Sequence, residues 1–206
     1  PTTIEKAAAI AKKQIELWMQ EYQKNIWENQ KHYIEVWIEK KALQGTFEPI
    51  CEKYDVSLFP CKGYPSLTAL NEAVMRFKDA SQTHKPVIIY FGDRDLSGAD
   101  IPRSIKENLS ELGVDVIVDQ RMLLEWQVKE WKLTPAPAKK TDTRLKKYDG
   151  NGQTELDAVE PAKIREILEE AILDYRDNEK LTELRKLEIL ERAEYIAELK
   201  EFVKTI

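Results

Sequence analysis

Two cysteines and two histidines in 206 residues leave little material for soft-metal or redox chemistry. Cys51 and Cys61 match neither a disulfide framework nor a C-x-x-C zinc pair, so both are expected as reduced thiols. His32 and His84 have no spacing for a ligand pair. Seven glycines and nine prolines are too few for a low-complexity or collagen-like chain. No stretch approaches the ~18 apolar residues of a membrane-spanning helix, and Pro1-Thr2-Thr3-Ile4-Glu5-Lys6 lacks the basic-then-apolar layout of a secretory leader. A cytoplasmic protein with no membrane partner is the expectation. Excess positive charge is also lacking: 32 Lys and Arg against 37 Asp and Glu leave −5, which excludes polyanion binding over the whole surface but not on a local strip.

What is present suits a globular α/β chain, 42% apolar and 33% charged. Residues 4–31 are helix formers without Gly or Pro and predict one long helix. The β-branched and aromatic run Tyr33-Ile34-Glu35-Val36-Trp37-Ile38 predicts a first strand, delivering Glu39 at its end. A short helix over 47–54 leads to a second strand over 56–61, then to Lys62-Gly63-Tyr64-Pro65 and a helix over 67–80 capped by Ser66. The near-continuous apolar run Pro86-Val87-Ile88-Ile89-Tyr90-Phe91 reads as a strand buried on both faces. A helix over 100–112 and a fourth strand over 114–118 follow. Four alternations of strand and helix, with connections too long for hairpins, predict a four-stranded, mainly parallel, Rossmann-like sheet flanked by helices. The domain division reads as an N-terminal helix at 1–31, the α/β domain at 32–160, and a helical region at 161–206 that opens on Pro161 and breaks near Asp177-Asn178.

Open α/β sheets bind ligands outside the carboxyl ends of their strands. Here those ends carry Glu39 and Lys40, Lys62 and Gly63, and Asp93 and Asp95. Carboxylates two apart in extended chain point to one side, an arrangement that suits a hard, oxygen-seeking cation such as Mg²⁺. A carboxylate at a strand end can instead cap the next helix, which is the plainer reading of Asp95 or Asp100 alone. Between Lys132 and Lys147, six cations face one acid, Asp142, so nucleic-acid contacts are expected on that strip, at Lys139, Lys140 and Arg144 among others. The five tryptophans lie on a strand or at helical spacing and are expected in the core.

Taken in order, Glu39, Lys62-Gly63-Tyr64-Pro65-Ser66 and Asp93-Arg94-Asp95-Leu96-Ser97-Gly98 resemble the Toprim domain shared by topoisomerases, primases and related nucleases. The closest resemblance is to topoisomerase VI A subunits, meiotic double-strand-break proteins, and uncharacterised phage and prokaryotic proteins carrying such a domain. It covers roughly residues 32–172. In the last group, residues 137–144 and Glu155-Leu156-Asp157-Ala158 are also expected.

The resemblance implies that Glu39 is the general acid or base and that Asp93 and Asp95, with Glu39, hold Mg²⁺, or Mn²⁺ in its place. It also implies that Lys62 and Gly63 lie near a nucleic-acid backbone. Leu96 stands where many such relatives have proline.

The expected function is Mg²⁺-dependent phosphodiester chemistry on nucleic acid, DNA before RNA, as a nuclease-like enzyme or a Toprim module of a DNA-processing system. A complete topoisomerase is not expected, because only about 31 residues precede the first strand, fewer than the ~50 of an independent domain. The alternative is a non-catalytic nucleic-acid-binding or assembly module. In either case the long helices are expected to serve a homodimer or a partner protein. An aspartyl-phosphate phosphatase also has an apolar strand followed by D-x-D, but there the motif follows the first strand, and here Glu39 and Lys62 precede it.

Overall fold

The computed structural model describes residues 2–134 and 152–205, which fall into two compact units: 31–176, and the pairing of 1–30 with 177–206.

In the larger unit, four strands form one sheet: β1 (His32–Ile38), β2 (Ser57–Pro60), β3 (Lys85–Phe91) and β4 (Ile117–Met122). The order is β2-β1-β3-β4 and every neighbouring pair is parallel. The connecting helices are α2 (Gln44–Lys53), α3 (Leu67–Ala80) and α4 (Leu96–Glu111), followed after β4 by α5 (Glu125–Glu130) and α6 (Pro161–Asp174). The expected α/β architecture is therefore present, and it is parallel throughout.

Alternation along the strands sorts the side chains to two covered faces. Trp37, Ile88 and Tyr90 pack with Ala73, Val74 and Phe77 of α3 and Ile101, Ile105 and Leu109 of α4. On the opposite face Phe47 of α2 meets Phe91 edge-on at 5.0 Å. Lys53 and Tyr54 at the end of α2 both reach Glu169 on α6 (2.6 and 2.5 Å). Glu35 interrupts the apolar pattern of β1, yet it is fully buried. Its two oxygens accept from Tyr33 Oη (2.9 Å), Trp37 Nε1 (2.9 Å), Arg76 Nε (2.7 Å) and Arg76 Nη2 (3.0 Å), so the charge is fully compensated.

In the smaller unit, α1 (Thr3–Glu21) and α7 (Asn178–Thr205) are joined by Tyr22 Oη and Lys24 Nζ, which donate to Glu191 (2.6 and 3.0 Å), and by the Tyr22–Tyr195 ring contact at 5.7 Å. Asp177 starts α7 by accepting from the amides of Glu179 (2.9 Å) and Lys180 (3.1 Å).

Several boundaries differ from those read in the sequence. The first helix stops at Glu21 rather than near 31: Tyr22 is already extended (φ −62°, ψ 116°), and Asn25 Oδ1 accepts the Trp27 amide (2.8 Å) in the turn that follows, in place of a continued helix. Helix α4 starts at Leu96 rather than at 100. The fourth strand is displaced from 114–118 to Ile117–Met122. Val114 and Val116 are buried ahead of it, while the strand itself lies at the sheet edge, where charge is tolerated. There Asp119 accepts from Arg121 Nε (2.7 Å) and Tyr175 Oη (2.8 Å). Helix α6 belongs to the sheet unit, so the division between units lies at 176/177, with the break before α7. No helix among the described residues is long and apolar enough to cross a membrane.

Candidate functional site at the β1–β3 switch point

The strand order fixes where a site can form. After β1 the chain moves outward to β2, and after β3 it moves the other way to β4, so the crevice between the carboxyl ends of β1 and β3 is a topological switch point. Register brings those ends level. Ile38 lies opposite Phe91, and the Glu39 amide donates to the Phe91 carbonyl (2.9 Å).

Glu39 and Asp93 meet there. Glu39 Oε2 accepts from the Asp93 amide (3.0 Å) and from Tyr90 Oη (3.3 Å). Gly92 allows this approach, since a Cβ at that position would lie 2.7 Å from both Glu39 Oε2 and Tyr90 Oη. Burial raises the proton affinity of Glu39 above the ordinary carboxylate range; the Asp93 amide opposes the rise and the Asp93 and Asp95 charges add to it. Asp93, 9% exposed, is likewise raised by burial, against the pull of the Leu156 amide and Lys40. Burial pushes the Tyr90 phenol and the Cys61 thiol upward as well, and the Glu39 charge adds to both. Cys51, also buried, is pushed up to about 12 by burial, so both thiols are inert at neutral pH.

Asp95 does a second job. Its Oδ1 accepts from the Gly98 amide (2.6 Å), making it the N-cap of α4. Gly98 has no room for a side chain, because a Cβ would fall 1.9 Å from the Asp93 carbonyl oxygen. The turn that presents both aspartates therefore depends on Gly98. Lys62 and Gly63 are brought alongside: the Cys61 amide donates to the Ile38 carbonyl (2.8 Å) and the Gly63 amide to the Glu39 carbonyl (3.3 Å). Both residues have left-handed backbone (φ 54° and 83°), a conformation glycine adopts freely and lysine does not. Lys62 is exposed at this rim.

A segment far along the chain completes the site. Arg94 and Thr154 exchange backbone hydrogen bonds (2.8 and 2.9 Å), and the Leu156 amide donates to Asp93 Oδ1 (2.7 Å). Lys40 Nζ then lies 3.3 Å from Asp93 Oδ2, 3.0 Å from Glu155 Oε2 and 3.2 Å from Asp157 Oδ1. Arg94 turns its guanidinium to Glu125 on α5 (3.2 Å).

Of the residues singled out in the sequence, Glu39, Asp93, Asp95, Lys62 and Gly63 are thus gathered at one end of the sheet. Lys139, Lys140 and Arg144 lie outside the described residues. Sequence reading gave no site role to Tyr90, Gly92, Gly98 or Lys40. Gly92 and Gly98, flanking the two aspartates in a glycine-poor chain, were the available signal. Of the tryptophans, Trp37 and Trp27 are buried as expected, whereas Trp18 and Trp126 are about half exposed (52% and 54%). Trp126 rests against Trp131, the ring centroids 6.2 Å apart. His32 packs edge-on to Tyr175 and His84 pairs with Thr83, neither in a ligand set.

Among the described residues no group of three or more His, Cys, Asp or Glu side chains is gathered to hold a metal ion. The donor chemistry nonetheless suits a hard cation: the carboxylates of Glu39 and Asp93 have their proton affinity raised by burial and by neighbouring acids, and the Lys40 ammonium is drawn to Asp93 Oδ2. The chain matches no family model and no curated protein.

Proposed function

We propose that the sheet unit is a Toprim-like module that carries out Mg²⁺-dependent phosphodiester chemistry on nucleic acid, with hydrolysis of DNA as the leading case. The observation that carries this reading is the meeting of Glu39 and Asp93 at the β1–β3 switch point, with Asp95 two residues on. Asp93 and Asp95 would hold the cation, with Glu39 beside them. Bound there, Mg²⁺ (or Mn²⁺) supplies charge neutralisation for a phosphate oxygen.

Glu39 moves the proton. Burial raises its proton affinity above that of an ordinary carboxylate, and the Asp93 amide and Tyr90 Oη fix Oε2, leaving the carboxylate oriented. Lys62, exposed on the loop tied to Glu39, would position a backbone phosphate; Lys139, Lys140 and Arg144, which lie outside the described residues, are proposed as nucleic-acid contacts on their charge alone.

One observation favours the binding or assembly alternative. Both Asp93 oxygens and Asp95 Oδ1 already have protein partners, as in a site that is only structural. Exposed apolar residues on α1 and α7, among them Ile10, Ile189 and Leu190, would then serve a partner or a second copy.

Labelled DNA and RNA incubated with the protein and Mg²⁺ or Mn²⁺, beside Glu39→Gln, separate the two. Metal-dependent free ends that vanish in the variant support the enzyme. Tight binding without product supports the module, and label trapped covalently on protein would overturn hydrolysis by water.

A further inference from the structure

We infer that Lys40 is a tethered cation that competes with a divalent ion for Asp93, so that loading the ion releases residues 152–158 from the site. This rests on the divalent-cation reading above and specifies how that site is regulated.

Lys40 Nζ donates to Glu155 and Asp157 and lies within ion-pair distance of Asp93, so one ammonium links carboxylates from two remote stretches of the chain. Ion pairs to Glu155 and Asp157 alone would count for little, since those acids are half exposed or more (67% and 50%). Asp93 is different. It is buried, its Oδ1 holds the Leu156 amide and its Oδ2 faces Lys40, so every contact the segment makes with this carboxylate opposes use of the same oxygens by a metal.

Two like charges within hydrogen-bond range of one oxygen repel strongly where water is scarce. Two states follow. In the first, the ammonium sits on Asp93 with the segment docked through Thr154, Leu156 and Lys40, as observed. In the second, a divalent ion takes Asp93, Lys40 leaves with Glu155 and Asp157, and the Leu156 amide loses its acceptor. Each state excludes the other, and the ion shifts the population by its affinity for the second alone. A lysine next to the proton-transferring Glu39 therefore sets the affinity for the ion.

The full chain is titrated with Mn²⁺ by calorimetry as wild type, Lys40→Met, Lys40→Gln, Lys40→Arg and Asp93→Asn, each first shown folded by circular dichroism. In parallel, hydrogen exchange over 152–158 is followed in the wild type with and without Mn²⁺. The two neutral variants are expected to bind Mn²⁺ about tenfold or more tightly than wild type, the scale for removing a nearby unit charge. Lys40→Arg should stay close to wild type, and Mn²⁺ should speed exchange at Leu156. Unchanged or weaker binding in the neutral variants, with Asp93→Asn still abolishing it, would overturn this inference while leaving the metal reading intact. Tighter binding in the neutral variants without any Mn²⁺-dependent change in exchange over 152–158 would overturn the release of the segment. No Mn²⁺ binding by any form would remove the metal reading, and this inference with it.

Discussion

The backbone amide of Asp93 donates to Glu39 Oε2 over 3.0 Å, so the end of β3 holds the acid at the end of β1. A bond between residues that far apart in the chain requires the two strands to be neighbours in register, and four predictions test the arrangement it creates.

The pH dependence of stability should reveal the raised carboxylates. Because burial lifts Glu39 above its ordinary value of 4.5, the folded state binds that proton more tightly than the unfolded chain. The stabilising contribution is complete below the unfolded value and is lost as pH rises through the folded one. Glu39→Gln, which keeps an acceptor for the Asp93 amide, should therefore melt at least as high as wild type at pH 7. Its advantage should shrink as pH falls to 4.5. Melting curves of the pair from pH 4 to 8 check this, and an advantage that grows toward acid would contradict it.

Gly98→Ala should damage the fold and the site together. Its Cβ would fall 1.9 Å from a backbone oxygen, which cannot step aside as a side-chain tip can. A loss of roughly 1–3 kcal/mol or more in urea is expected. Gly45→Ala, in α2 with nothing within 4 Å, is the control, and should be neutral or stabilising by up to about 1 kcal/mol.

Asp95 can be divided into cap and ligand. Asn caps as well as Asp, so Asp95→Asn should keep wild-type stability, whereas Asp95→Ala should lose about 1 kcal/mol along with the bond to the Gly98 amide. Both should weaken Mn²⁺ binding if the carboxylate is a ligand. Retained affinity in Asp95→Asn would leave the residue as a cap alone.

Arg76→Met strands a fully buried carboxylate at Glu35. Removing one partner of such a pair costs ~3–5 kcal/mol, discounted here to roughly 2–3 because Arg76 is over a third exposed. Denaturant titration measures it. Adding Glu35→Leu should recover part of the loss but not all, since Trp37 Nε1 then has no acceptor in the core.

Legibility followed the range of the interactions involved. The apolar run over 86–91 and the β-branched run over 33–38 predicted strands with their acids at the ends, and Ser66 does cap α3 by accepting the Ala69 amide (3.2 Å). Failures came where a side chain competed locally with the pattern, as Asn25 does in the turn after α1, or where an edge strand carries charge, as β4 does with Asp119 and Arg121.

By itself the sequence determined the α/β class, the parallel strands and the identity of the acids leaving β1 and β3, because hydrophobic period and turn chemistry act over a few residues. Only the tertiary structure decided the order β2-β1-β3-β4, which sets Glu39 beside Asp93, and the return of Thr154, Leu156 and Asp157 to Asp93 and Lys40. Those choices rest on strand pairing and charge meeting across more than fifty residues, and no local pattern in the chain carries that information.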